Sequence, residues 1–375
     1  MERSESTHPQ RFVKSIAIVC GGTGGHLAPG IAVAEAMEAR GYRCCLFISE
    51  KQVDSALVKK YESLHFVRVP GIAFSKNVRG GVRFLAQLTR SVLRARGEFK
   101  AMGVDQVLLF GGFLSLGPGL AGRIAGLPIA LHEANRVPGK AVRMLSKLAS
   151  RVYLPEGIDI PNTSEEKVRT MGFPLRKEMV KIDQSEARRL LGLPENGRII
   201  VILGGSQGAE ALNDWARTVG PSLGNVVDCL YCVTGFGKGT SANSTLNEDG
   251  PEVVEVPFTD QMNVVLSAAD LVISRAGAGA IAEITKIGIP SILIPYPFAA
   301  DAHQKENAAS LEATGGCQVL SQKNIGELTE KVIALLQNSE ALAATQSALA
   351  LINPHSVTEA ICDDLECLHR SNFKP

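Results

Sequence analysis

Short apolar runs rich in β-branched side chains alternate along this chain with stretches whose apolar positions recur at helical spacing. Ser15 to Cys20, Cys44 to Ile48, Val104 to Phe110 and Leu127 to Leu131 read as strands. Their lack of polar alternation predicts strands covered on both faces. Between them, Pro29 to Ala39 carries Ile31, Ala34 and Met37 at helical spacing and stops at Gly41, and Leu116 to Ala125 repeats the pattern. The alternation restarts after Gly172-Phe173-Pro174-Leu175-Arg176. Strands are predicted at Arg198 to Leu203, Cys229 to Thr234, Val253 to Val256, Leu271 to Ser274 and Ser291 to Pro295. Helices are predicted at Ala209 to Val219, Met262 to Ala269, Ala278 to Ile287 and Asp301 to Ala313. Gly235 to Gly250, rich in Gly, Ser and Asn, reads as a surface loop.

Strands alternating with helices imply parallel sheets with right-handed crossovers. The expected fold is therefore α/β: two doubly wound, Rossmann-like domains whose parallel sheets face a central cleft. The restart places the first domain at 1–171 and the second at 172–355, with a final helix in 356–375 expected to pack back on the first domain. Ligands of such sheets lie at the carboxyl ends of the strands.

Three glycine-rich loops each follow a strand and precede a helix: Gly21-Gly22-Thr23-Gly24-Gly25-His26, Gly111-Gly112-Phe113-Leu114-Ser115 and Gly204-Gly205-Ser206-Gln207-Gly208. That arrangement aims backbone N–H groups and the positive end of a helix dipole at an anion, most often phosphate. Tight turns alone would account for any one loop but poorly for all three. None ends in the Gly-Lys-Ser/Thr of a P-loop, which argues against a kinase or ATPase, and Leu27 stands where a dinucleotide fingerprint needs its third glycine.

Composition narrows the class further. Hydrophobic residues make up 45% and charged residues 21% of the 375, as in a soluble globular protein, and the 37 glycines concentrate in the loops. The net charge of +1 gives no field for nucleic acid. Cys20, Cys44, Cys45, Cys229 and Cys232 lie inside apolar runs and read as buried free thiols of a reducing compartment. The segment Met1 to Lys14 lacks the apolar core of a signal peptide, and no apolar stretch approaches the ~18 residues of a membrane span.

The segments GGTGGHLAPGIAVAEAM (21–37), GGFLSLGPGLAG (111–122), LHEAN (131–135), GFPLR (172–176), GGSQGA (204–209), SRAGAGAIAEI (274–284) and DAHQKENA (301–308) occur in one order. Together they resemble the MurG family of bacterial UDP-N-acetylglucosamine transferases, within the two-domain GT-B glycosyltransferases. The resemblance runs from about Ile16 to about Ala309. It implies the GT-B fold and inverting transfer of N-acetylglucosamine to the 4-hydroxyl of the muramoyl sugar on undecaprenyl diphosphate; the alternatives are another GT-B UDP-sugar transferase with a different acceptor and a catalytically idle nucleotide-sugar-binding scaffold of cell-wall assembly. The implied partners are UDP-N-acetylglucosamine, an undecaprenyl-diphosphate-linked muramoyl peptide, an anionic membrane surface at the cytoplasmic face of the inner membrane, and proteins of cell-wall synthesis. No metal or other cofactor is expected.

Such a transfer needs a base for the acceptor hydroxyl, a held donor and charge stabilisation for the departing diphosphate. By resemblance the donor is bound by Arg176, Ser206, Thr259 (through its backbone), Ala278, Glu283 and Gln304, joined by Thr23, Gly24, Gly25 and Asn135. An ionised Glu283 is expected to accept hydrogen bonds from the ribose hydroxyls, and an N-cap role for Asp301 is compatible with this set. Thr23, His26, Phe113, Ser115 and Asn135 are assigned to the acceptor, with hydroxyl and amide donors on its diphosphate. His26 follows the glycines directly, and a histidine suits general-base work near neutral pH. Glu133 is the rival base, while His132 reads as a core or supporting histidine. Four departures from the family pattern cover five positions. Phe113 replaces a tyrosine, Phe173 an asparagine, Gly279-Ala280 a Leu-Thr pair and Val142 an asparagine.

Residues 72–100 interleave basic residues, Arg79 and Arg83 among them, with apolar ones. An amphipathic helix of mixed role is expected, with Phe84 and Leu85 meeting the bilayer beside Arg79 and Arg83, and Leu88, Val92 and Leu93 packing on the core.

Overall fold

The structure is a computed structural model and describes residues 14–21, 24–49, 58–69, 78–205, 208–235, 243–245, 250–352 and 356–372. The first sheet comprises β1 (Ser15–Val19), β2 (Arg43–Ile48), β3 (His65–Arg68), β4 (Gln106–Leu109), β5 (Ile129–His132), β6 (Arg151–Leu154) and β7 (Val168–Thr170). Its spatial order is β3-β2-β1-β4-β5-β6-β7, with every neighbour parallel. The second sheet contains β8 (Ile199–Leu203), β9 (Cys229–Val233), β10 (Asn243–Thr245), β11 (Glu252–Val256), β12 (Leu271–Ser274), β13 (Ser291–Leu293) and β14 (Gln318–Val319). Its order is β10-β11-β9-β8-β12-β13-β14.

Two expectations need correction here. The second sheet is not wholly parallel, because β10 runs antiparallel to β11. That strand lies inside the segment read as a surface loop; Asn243-Ser244-Thr245 has too few apolar residues to announce a strand, and its ladder with Val253 to Glu255 supplies the order. The strands β3, β6, β7 and β14 are also absent from the expected set, being only two to four residues long.

Burial follows the two-residue period of a strand covered on both sides. In β1, Ile16 and Ile18 join the face that holds α1 (Gly24–Ala39) and α12 (Val357–Asn372), whereas Ala17 and Val19 join the opposite face. That opposite face is covered by α2 (Val78–Met102), α3 (Leu116–Ile124) and α4 (Lys140–Leu145). In the second lobe, the sheet packs α7 (Met262–Ala268) and α8 (Ala278–Ile287) on one face. The other face holds α6 (Glu210–Thr218) and α10 (Leu328–Gln337), and α11 (Ser339–Ile352) returns Leu349 to the first of these faces. Cys229 and Cys232 point to opposite faces, so their CxxC spacing neither chelates a metal nor closes a disulfide.

The last helix, α12, returns to the first lobe. Ile361, Cys362, Leu365 and Leu368 enter its core, Asp364 accepts from Tyr153 Oη at 2.9 Å, and Arg40 pairs with Glu359 and Asp363. The helix α1 begins five residues before the expected Pro29. It lies tightly on β1 because position 30 is glycine: a Cβ there would sit 2.3 Å from Cys20 Cβ.

Candidate active site

In both sheets chain order reverses between two adjacent strands, β1 and β4 in the first lobe and β8 and β12 in the second. Crevices at such reversals bind the ligands of open α/β sheets. All three glycine loops occur there, after β1, β4 and β8.

In the first lobe the second loop sits against the start of α1. Gly112 has φ 70° and ψ 165°, a conformation essentially restricted to glycine. A Cβ at Gly112 would lie 3.2 Å from His26 Cε1 and 3.5 Å from Nδ1, so the half-buried imidazole rests on this backbone. Thus His26 spans the crevice from the β1 side to the β4 side. Ser115 does not offer its hydroxyl proton to a ligand as expected, because buried Oγ donates to Gly111 O at 2.5 Å and ties the loop to itself. Phe113 is 39% exposed at the loop's tip. Val142 is buried and packs beneath Gly111.

Glu133 and Asn135 follow β5. Glu133 is buried; Oε1 accepts from Asn135 N and Nδ2, both at 2.9 Å, and Oε2 accepts from Gly139 N at 3.0 Å. Both carboxylate oxygens are therefore engaged in holding the turn and orienting the Asn135 amide. His132 is buried too, and its Nε2 lies 2.8 Å from Gly172 O, pinning the interlobe linker. Burial holds its pKa below the ordinary histidine value, outweighing the bond to Gly172. It is a supporting residue, one of the two roles read for it.

Among the helices that start at the carboxyl end of the second lobe's sheet, three follow β8, β12 and β13. The N-caps of α6, α8 and α9 (His303–Ala313) are Ala209, Gly277 and Ala302, and none makes a side-chain capping bond. By contrast, Asp183 caps α5 (Gln184–Leu191) through Ser185 N and Glu186 N. Uncapped first turns leave N–H donors and a partial positive charge facing the cleft. The expected N-cap role of Asp301 fails: Ala302 occupies that place, and both residues have left-handed φ, 51° and 54°. The glycine at 204 is sterically required, since a Cβ would fall 2.4 Å from Ala209 N.

Among donor candidates, Gln304 accepts at Oε1 from Tyr296 N at 2.9 Å, which leaves its amide N–H groups to a ligand. Thr259 Oγ1 accepts from Gln261 N at 3.0 Å, shaping the loop whose backbone is the expected contact. Ala278 opens α8, and Glu283 lies half-buried farther along the same helix. Burial pushes the Glu283 carboxyl up to about 7; Arg176 pulls it partly back and Glu178 adds to the rise. The free protein therefore does not hold Glu283 fully ionised at neutral pH, contrary to the ionised carboxylate expected there. Two departures from the family pattern meet here. The ring of Phe173 covers Gly279, where a Cβ would lie 3.1 Å from Cζ, so a large residue in the linker faces a position without a side chain.

Two interlobe contacts escaped the sequence reading. Asn307 of α9 donates through Nδ2 to Asn135 Oδ1 at 3.1 Å and to Ala276 O at 3.2 Å, and its Oδ1 accepts from Arg136 N at 2.9 Å. Its sequence signal is its place in the DAHQKENA segment, three residues after Gln304 on one helix. The other contact joins Lys60 and Tyr61 to Arg176, Glu178 and Asp260.

On α2, Phe84 and Leu88 pack on the first-lobe core, whereas Val82, Leu85 and Leu93 are 68%, 63% and 64% exposed. This reverses the expected places of Phe84, which packs on the core, and Leu93, which is exposed. Arg83 is exposed beside them. Thr23, Ser206 and the side chains of Gly24 and Arg79 lie outside what the structure describes, while Gly25 is exposed at the start of α1.

Two facing lobes of this architecture define the GT-B glycosyltransferase fold. The same fold occurs in Acinetobacter baumannii MurG, with a TM-score of 0.70 and 23% identity over 94% of this chain and 99% of that one. It occurs also in the glycotransferase of kitacinnamycin, with a TM-score of 0.68 and 17% identity over 95% and 99% of the two chains. Residues 16–154 match the glycosyltransferase family 28 N-terminal domain, and residues 199–360 match the family 28 C-terminal domain. The UDP-N-acetylglucosamine–N-acetylmuramyl-(pentapeptide) pyrophosphoryl-undecaprenol N-acetylglucosamine transferase of Opitutus terrae is 42% identical over 96% of both chains. The transferase of the same name from Shewanella loihica is 32% identical over 94% of both. The chain belongs to glycosyltransferase family 28.

Proposed function

We propose that this enzyme transfers N-acetylglucosamine from UDP to the 4-hydroxyl of the muramoyl sugar of an undecaprenyl-diphosphate-linked peptide, inverting the anomeric carbon. The observation that carries this reading is the full-length 42% identity with the Opitutus terrae transferase, whose name states that donor and that acceptor. The site's chemistry supports it. A ring nitrogen of His26 takes the acceptor hydroxyl proton while the oxygen forms its bond to the anomeric carbon. The bond from that carbon to the β-phosphate oxygen breaks, and its electron pair leaves on UDP. Charge developing on UDP meets the uncapped starts of α6 and α8 and the guanidinium of Arg176, donors fixed before reaction begins.

In this reading Glu283 binds the ribose, the Thr259 backbone the uracil, and Ala278, Gln304 and Asn135 the sugar, with Ser206 on the phosphates. Thr23, Gly24, Gly25 and Phe113 face the acceptor. Glu133 orients Asn135, since its oxygens already accept three N–H bonds. The direct test is UDP release from UDP-N-acetylglucosamine with and without the lipid-linked acceptor. Release that depends on the acceptor supports the proposal; release only with a soluble sugar acceptor would refute it.

We also infer that α2 docks the enzyme to the cytoplasmic leaflet through Val82, Leu85 and Leu93, beside Arg83 and the exposed Arg90 and Arg94. Three apolar groups and a few cations give reversible binding to an anionic surface. No described helix is long and apolar enough to cross a membrane. Replacing Leu85 and Leu93 together with aspartate should weaken binding to phosphatidylglycerol vesicles about tenfold, with UDP affinity unchanged. Undiminished vesicle binding would remove this face from consideration.

A further inference from the structure

The interlobe cluster around Arg176 has a one-sided geometry. Arg176 is buried, and its Nη1 donates to Tyr61 Oη at 3.1 Å and pairs with Glu178 Oε1 at 3.2 Å. Tyr61 in turn donates to the same Glu178 oxygen at 2.6 Å, closing a three-membered set. Lys60 completes it, reaching Glu178 Oε1 at 3.4 Å and Asp260 O at 3.0 Å, next to Thr259. A guanidinium has five N–H donors in a rigid fork. Here Nη1 makes contacts within the protein, while Nε and Nη2 make no hydrogen bond among the described residues. The anchored nitrogen fixes the plane of the fork, so the other edge is presented without a search through rotamers. Burial alone would raise the Glu178 carboxyl. The bond from Tyr61 and the charge of Arg176 outweigh it and hold Glu178 below its ordinary value, so the anchor is an ionised one.

We propose that Tyr61 and Glu178 are positioning residues for the donor: they fix Arg176 so that its free edge meets the nucleotide diphosphate. Tyr61 belongs to the first lobe, in the turn before β3, so through it the acceptor lobe contributes to donor binding by a residue that does not itself touch the donor. The idea rests on the donor role proposed for Arg176. It differs from a packing role for Tyr61 in one respect: the effect of the tyrosine hydroxyl must pass through the guanidinium.

The test is a double-mutant cycle on UDP affinity, measured by calorimetry on the full chain. Tyr61→Phe keeps the ring and should weaken UDP binding about tenfold, as expected for a lost hydrogen bond to a charged group. Arg176→Lys keeps the charge but not the fork, and in that background Tyr61→Phe should change affinity less than twofold. Glu178→Gln should show the same dependence on Arg176 and serves where Tyr61→Phe fails to fold, as judged by thermal unfolding. Equal losses from Tyr61→Phe in both backgrounds would overturn the positioning role while leaving Arg176 as a donor ligand. Unchanged UDP affinity in Arg176→Lys and Arg176→Ala would remove the donor role itself, and the positioning role with it.

Discussion

His26→Ala is expected to lower acceptor-dependent UDP release about 10²–10⁴-fold, the usual contribution of a positioned general base, while UDP affinity stays within about twofold. The two readouts separate because His26 lies in the first lobe, on the opposite side of the cleft from the helix starts proposed to take the donor. Its placement is dictated by backbone. The ring rests on Gly112, where a Cβ would come within 3.2 Å of Cε1 and push the imidazole aside by a few tenths of an ångström. Imidazole and glycine loop are therefore one unit, built across the point where chain order reverses between β1 and β4. Glu133 is the natural control. Glu133→Gln keeps one oxygen acceptor but cannot accept all three N–H bonds, so it should disturb Asn135 and cost less activity than His26→Ala. A loss below threefold in His26→Ala, measured in a single turnover at saturating donor and acceptor, would move the proton to another group.

The elements most legible in the sequence are those whose burial is complete on both faces. The strands β1, β8, β9 and β12 were read to within a residue at each end, because an unbroken apolar run flanked by glycine has few other uses. The edge strands β3, β7, β10 and β14 were missed. Half of an edge strand's environment is solvent or a single neighbour, and its residues, such as Arg68, Arg169 and Gln318, carry little pattern. The site divides along the same physical line. Glycine loops and helix starts are local devices, and local spacing reveals them. The contacts that join the lobes are not local. Tyr61 meets Arg176 across 115 residues, and Asn307 meets Asn135 across 172, so no periodicity could announce either. Ser115 was misread because a hydroxyl beside glycines suits a ligand and an internal tie equally; only the 2.5 Å bond to Gly111 O distinguishes them. Phe173 and Gly279 looked like separate departures in sequence, and their contact makes them a single exchange of volume.

Glu283 gives the second large expectation, in which stability and function move in opposite directions. Burial pushes its carboxyl up to about 7 from a value of 4.5. Between those values the unfolded chain loses the proton before the folded one does, so wild-type stability falls as pH rises through this window and is level above it. Glu283→Gln removes that penalty. At pH 8 the variant should exceed the wild type by about 1–3 kcal/mol in denaturant unfolding, and at pH 4.5 the difference should vanish. Donor binding should respond oppositely. Two ribose hydroxyls donating to one carboxylate favour its ionised form, whereas the amide offers a single acceptor oxygen. UDP affinity should drop about tenfold or more in Glu283→Gln at pH 8. As pH falls below about 7, wild-type affinity should decline more steeply than the variant's, the nucleotide's own titration being common to both. The strain of holding this acid half-buried would then be relieved by the substrate, as happens where a binding site is kept at a cost to the fold. A stability difference that did not change between pH 4.5 and pH 8 would show that Glu283 ionises freely in the folded enzyme, and the account of its role would fail at its first step.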